Sequence, residues 1–109
     1  MEESQKKQAQ VAALRLLAAS PKSRKEIGKK LLDKGYPEAV IQETLASLEH
    51  QGVLSDRNFA QNLVGRLLHD KPSGMRKISF ELKRRGVSPK IQEDILSGIS
   101  REEEYARNT

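Results

Sequence analysis

The ten residues LLDKGYPEAV, positions 31–40, return 51 positions later as LKRRGVSPKI, positions 82–91. A leucine, a basic residue, a glycine, a bulky apolar residue, a proline and a β-branched residue recur almost in register. A constant offset of 51 also pairs Leu16 with Leu67, Leu17 with Leu68, Ile27 with Ile78 and Leu31 with Leu82. It pairs Gly35 with Gly86, Val40 with Ile91, Leu45 with Leu96 and Leu48 with Ile99 as well. Eight apolar or glycine matches without a gap mark a tandem repeat. A repeat unit cannot bury its apolar face alone, so neighbouring units stack and share a core. The duplication therefore predicts an elongated, curved array of repeats.

Within each repeat the apolar residues follow helical spacing, and no segment alternates as a strand does. The spacing predicts an all-α fold of six helices. The first spans 3–19, with Val11, Leu14, Leu17 and Ala18 as its inward stripe. Ser23 and Glu26 match a capping box that opens a second helix over 24–34, with Ile27 and Leu31 inward. Gly35 supplies the left-handed residue that ends it. Pro37 begins a third helix, lined by Val40, Ile41, Thr44, Leu45 and Leu48 and running to Gly52. The second half repeats the plan. A fourth helix over 56–69, capped by Ser55 or Asp56, carries Phe59, Ala60, Leu63, Val64 and Leu67. After a loop at 70–74, a fifth helix over 75–85 holds Ile78 and Leu82 and stops at Gly86. Ser88 caps a sixth, with Ile91, Ile95, Leu96 and Ile99 inward. The units are helix-turn-helix-like triplets over 1–52 and 53–100, with a further helix starting within 101–109.

Composition narrows the function. The chain has 109 residues, enough for one ordinary domain, with 36% hydrophobic and 32% charged residues. Four aromatics, Tyr36, Phe59, Phe80 and Tyr105, suit an aliphatic helical core better than a β-sandwich. The lack of cysteine excludes disulfides and thiolate metal sites and fits a reducing compartment. The longest apolar stretch, VAALRLLAAS, is broken by Arg15 and falls far short of the ~20 residues a membrane span needs. Met1–Gln10 is too polar for a secretion signal. A cytoplasmic location is expected.

Catalysis finds no support. Glu102, Glu103 and Glu104 are consecutive and diverge on a helix, His50 and His69 are isolated surface residues, and no nucleophile set, phosphate loop or metal-ligand cluster occurs. A non-enzymatic protein without metal, cofactor or small-molecule substrate is expected.

Charge points to a partner. The net +5 is concentrated in residues 66–90, where eight basic side chains face two acidic ones. These are Arg66, Lys71, Arg76, Lys77, Lys83, Arg84, Arg85 and Lys90, the expected binding residues. On the fifth helix Lys77 and Arg84 share a face, with Arg76, Lys83 and Arg85 flanking it. Such a face attracts a polyanion, nucleic-acid phosphate or an acidic protein groove. The competing expectation is a solvated surface on which Glu81 pairs with Lys77 or Arg85 four residues away. Phe59 is expected in the core. Phe80, two residues after Ile78, falls off the apolar stripe and packs either between units or against a partner. Gly35, Gly86, Pro37 and Pro89 are helix punctuation.

The stretch LSDRNFAQNLVGR, followed by GMRKISFELKRRGV, resembles the RecX family of bacterial regulators of the RecA recombinase. Its pattern of D-x-x-F/Y-A, then G-x-x-R/K-I-x-x-E-L-x-x-K/R-G and an apolar residue, is met by Asp56, Phe59, Ala60, Gly74, Lys77, Ile78, Glu81, Leu82, Arg85, Gly86 and Val87. The first unit echoes it with Lys25, Glu26, Ile27, Leu31, Lys34, Gly35 and Tyr36. The family consists of repeated three-helix units, generally three, and this chain reaches the start of a third. The resemblance implies a regulator in the groove of the RecA–DNA filament that curbs strand exchange and ATP hydrolysis.

The alternative is a direct, non-specific DNA-binding module of helix-turn-helix type. Lysine and arginine mostly contact phosphates, so weak, sequence-blind affinity for single- or double-stranded DNA is expected. Scarce aromatics argue against stacking on single strands. A third possibility, a plain helical scaffold, predicts no effect of reversing the charges of the fifth helix.

Overall fold

The computed structural model describes the backbone of residues 2–70 and 74–107, and the side chains of residues 4–69 and 74–98. Six α-helices follow in order: α1 (Glu2–Ala19), α2 (Arg24–Asp33), α3 (Glu38–His50), α4 (Asp56–Asp70), α5 (Met75–Arg84) and α6 (Pro89–Arg107). No strand occurs among the described residues. The chain divides into two compact units at Ser55/Asp56, three residues beyond the boundary expected from the repeat.

In the first unit α1 packs on α3 and α2, and α2 packs on α3. Its core joins Ala13, Ile27, Leu31, Ile41, Leu45, Leu48 and Leu54. In the second, α4, α5 and α6 pack pairwise. Phe59, Ala60, Leu63, Val64, Ile78, Leu82, Val87 and Ile95 form that core. Ile27 and Leu31 are fully buried, as are their counterparts Ile78 and Leu82.

The connections between helices obey the same rule in both units. Gly35 has φ 94° and Gly86 has φ 86°, a left-handed conformation that strains any side chain with a Cβ. The Gly35 N–H donates to the Leu32 carbonyl and the Tyr36 N–H to the Leu31 carbonyl, the two bonds of a Schellman turn. Gly86 and Val87 repeat them onto Lys83 and Leu82. Carbonyls that would otherwise be orphaned at the helix end are thereby satisfied, and the chain reverses into the next helix.

Each unit encloses its own core, not the shared one expected from the repeat, and three further sequence expectations need correction. On α1, Val11, Leu14 and Ala18 are exposed, while Ala9 and Ala13 are fully buried and Ala12, Leu16 and Leu17 pack against the core. Apolar residues surround this helix, so periodicity does not select a face; the small alanines allow close approach to α3. No new helix starts at Arg101, because α6 runs unbroken to Arg107. The side chain of Glu81 forms an ion pair with Arg84, three residues on, a partner the four-residue spacing did not include. Ile99 and Tyr105 lie outside the residues whose side chains are described.

Candidate functional site

The helix that carries the basic cluster begins against the usual rules. In α2 the buried Ser23 caps the helix: its Oγ accepts from the Glu26 N–H at 3.3 Å, and its own N–H donates to Glu26 Oε1 at 3.0 Å. That reciprocal pair satisfies two otherwise free donors. In α5 the corresponding positions are Gly74 and Lys77. Gly74 provides no side-chain cap, and the first turn holds no acidic residue. It holds Arg76 and Lys77 instead, two cations at the positive end of the helix dipole. Each such placement is unfavourable by about 0.3–1 kcal/mol. Local helix stability does not explain this choice of residues.

Four cations meet on the outward side. At about 100° per residue, Arg76, Lys77, Lys83 and Arg84 fall within an arc of about 120°. Phe80 lies near its middle, diametrically opposite Ile78 and Leu82. All four cations are exposed, and Phe80 is 63% exposed. Glu81 sits at the edge of this arc. Arg84 donates to it from Nη2 at 2.8 Å and from Nε at 3.3 Å. This hydrogen bonding, together with the charges of Arg84, Arg85 and Lys77, holds the Glu81 carboxyl below the usual carboxylate range against a smaller opposing effect of burial. The acid therefore stays ionised and fixes the Arg84 side chain.

The remaining expected binding residues lie elsewhere. Arg85 is half-buried with its guanidinium 4.9 Å from the centre of the Phe59 ring, a cation–π contact that ties the end of α5 to α4. Arg66 is exposed on α4 and Lys90 in the first turn of α6. Lys71 lies outside the described residues. Four of the eight thus share one helical face. Phe59 is buried, as expected, and His50 and His69 are exposed.

A cleft of about 380 Å³ between α4 and α6 is lined by Gly65, Leu68, Ile95 and Gly98, beside an Arg57–Asp94 ion pair at 3.0 Å. No three residues of the metal-binding types group together among the described residues. No helix among them is long and apolar enough to cross a membrane.

Two family models match the chain. Residues 9–48 match the first three-helix domain of RecX, and residues 55–96 match its second three-helix domain. The chain belongs to the RecX family. Among curated relatives, the regulatory protein RecX of Chlorobium phaeobacteroides is 41% identical over 97 residues, covering 89% of this chain and 64% of that protein. RecX of Chlorobium limicola is 36% identical over 96 residues, covering 88% of this chain and 60% of the relative. This RecX chain thus spans somewhat less than two thirds of the length of these relatives. The crystal structure of RecX from Lactobacillus salivarius superposes with a TM-score of 0.82 at 26% identity, over 86% of this chain and 61% of the other. The matched domains place α1–α3 in the first RecX domain and α4–α6 in the second, and the RecX family is one of regulatory proteins.

Proposed function

We propose that this chain binds the RecA–DNA filament through the outward face of α5 and restrains the filament's strand exchange and ATP hydrolysis. One observation carries the reading. Arg76, Lys77, Lys83 and Arg84 occupy a single exposed face, on a helix that forgoes the capping box of its counterpart. A local rule broken without a structural gain is the expected mark of a functional surface. Membership of the RecX family supports the reading of RecA as the partner. The surface offers positive charge to a polyanionic groove and needs no cofactor or reaction of its own. It acts in the cytoplasm, where the filament forms.

The test is co-sedimentation with RecA on single-stranded DNA, against DNA alone, across a salt series, paired with strand-exchange and ATPase assays. Binding to the filament beyond that to DNA, with both activities reduced, is expected. Unchanged activities at a saturating concentration of the chain would sink the proposal.

The same four cations favour a second reading, direct DNA binding without a recombinase. It predicts sequence-blind affinity that falls steeply with salt, because released counterions drive phosphate contacts. A sequence-selective, salt-insensitive footprint would instead require readout of base edges.

A further inference from the structure

We propose that Phe80 is a stacking platform for an unpaired base of a single-stranded nucleic acid, framed by cations that hold the adjoining phosphates. The proposal rests on the reading of the α5 face as the contact surface and names the ligand chemistry at its centre. A solitary exposed apolar residue is ordinary on a protein surface and by itself signifies nothing. The setting of Phe80 is different. On a helix the surface neighbours of a residue lie three and four positions away, with Cβ atoms about 5–6 Å apart. For Phe80 these four positions are Arg76, Lys77, Lys83 and Arg84, and every one is cationic. The ring is 63% exposed on the side of α5 opposite the core residues Ile78 and Leu82.

An aromatic face inside a basic frame combines the two elements of sequence-tolerant single-strand binding, base stacking and backbone neutralisation. A fully paired duplex hides its base faces and offers such a ring nothing to stack on. An acidic protein groove would satisfy the cations but leave the ring against polar surface. The scarcity of aromatics excludes a long stacking track; it leaves room for one platform. The repeat supplies an internal control. The position equivalent to Phe80 in α2 is Lys29, and its four neighbours are Lys25, Glu26, Leu32 and Asp33, one cation against two anions. Aromatic ring and basic frame arise together in the second unit and are both missing from the first.

Phe80 lies outside the core, so Phe80→Ala should fold normally, as circular dichroism would verify. Its affinity is compared with that of the unchanged chain for a 20-mer of oligothymidylate and for an abasic strand of the same length. The expected result is a loss of about five- to a hundredfold for the base-bearing strand, the range of a single stacked base. Affinity for the abasic strand should stay unchanged. The chain has no tryptophan, so Phe80→Trp adds a unique reporter. Its emission should be quenched by the oligothymidylate and not by the abasic strand. Equal losses on both strands, or none on either, would overturn the platform. So would Phe80→Trp emission that responds only to RecA filament, which would mean a protein pocket receives the ring. Reversing Lys77 and Arg84 to acids separates the two claims. If the reversal weakens both strands while Phe80→Ala weakens neither, the α5 surface survives and the stacking fails. If the reversal changes nothing, the surface itself is wrong.

Discussion

Helices α2 and α5 occupy the same place in their respective units, yet they present opposite kinds of surface. Both bury an isoleucine and a leucine four residues apart, and both end in a Schellman turn at a left-handed glycine. Outward they diverge. On α2, Lys25 and Lys29 are balanced by Glu26 and Asp33; on α5, Arg76, Lys77, Lys83 and Arg84 surround Phe80. On α2, Glu26 completes a capping box, and Arg24 bridges to Glu49 at 2.8 Å and to Gln42 at 3.1 Å on α3. Arg24 and Glu26 of α2 thus serve the fold, whereas the outward cations of α5 are the ones we propose meet a partner. The two helices share the face that packing buries and differ on the face that packing leaves free.

The largest expected effects test what the two helices share. Ile27→Ala and Ile78→Ala each remove a fully buried side chain and should each cost about 2–5 kcal/mol in chemical denaturation. Because each core is confined to one unit, probes in the other unit should be less affected. A large cost for one helix and a negligible cost for the other would break the equivalence.

Next comes the difference. Lys77→Glu combined with Arg84→Asp gives α5 the acids that α2 carries at Glu26 and Asp33. Phosphate contacts depend steeply on charge, so affinity for single-stranded DNA or filament should fall about a hundredfold at low salt, with a shallower salt dependence and unchanged helix content. Arg85 is left in place because its contact with Phe59 supports the unit, and reversing it would mix a folding defect with a binding one.

A subtler substitution sets stability against binding. Gly74→Ser with Lys77→Glu restores the capping box in α5. A Cβ at Gly74 meets no atom within 4 Å, and its φ of −68° suits a serine. The pair should raise thermal stability by about 1 kcal/mol while weakening binding. A gain in stability with binding intact would mean that the missing cap has no functional reason.

The smallest effect concerns Glu81. Its carboxyl titrates lower in the folded chain than in the unfolded one, chiefly through the hydrogen bond from Arg84. Its contribution is therefore complete above the ordinary carboxylate range and disappears as pH falls through the lowered value. Glu81→Gln should remove that acid-range dependence, cost little stability because the pair is at the surface, and modestly raise polyanion affinity by releasing Arg84. A pH titration of unfolding, with affinity measured at neutral pH, checks both signs.

Much of the fold was legible from the chain because it depends on local rules. Gly35 and Gly86 had to adopt a conformation only glycine reaches cheaply, Ser23 and Glu26 spelled a capping box, and the offset of 51 tied the two units together. The face of α1 was not legible. Its apolar residues encircle the helix, and the choice of Ala9 and Ala13 over Val11 and Leu14 depends on how closely α3 approaches, which spacing along one helix does not contain. The same holds for Glu81, whose ion pair with Arg84 depended on side-chain geometry.

The basic cluster divides in the same way. Sequence alone determined that residues 66–90 carry the excess charge and that the fifth helix holds most of it, because charge is a property of composition and helical phase. Only tertiary structure decided which of those cations face outward. Packing on α4 and α6 fixes the rotation of α5, turning Arg85 inward over Phe59 and leaving Arg76, Lys77, Lys83 and Arg84 around an uncovered Phe80.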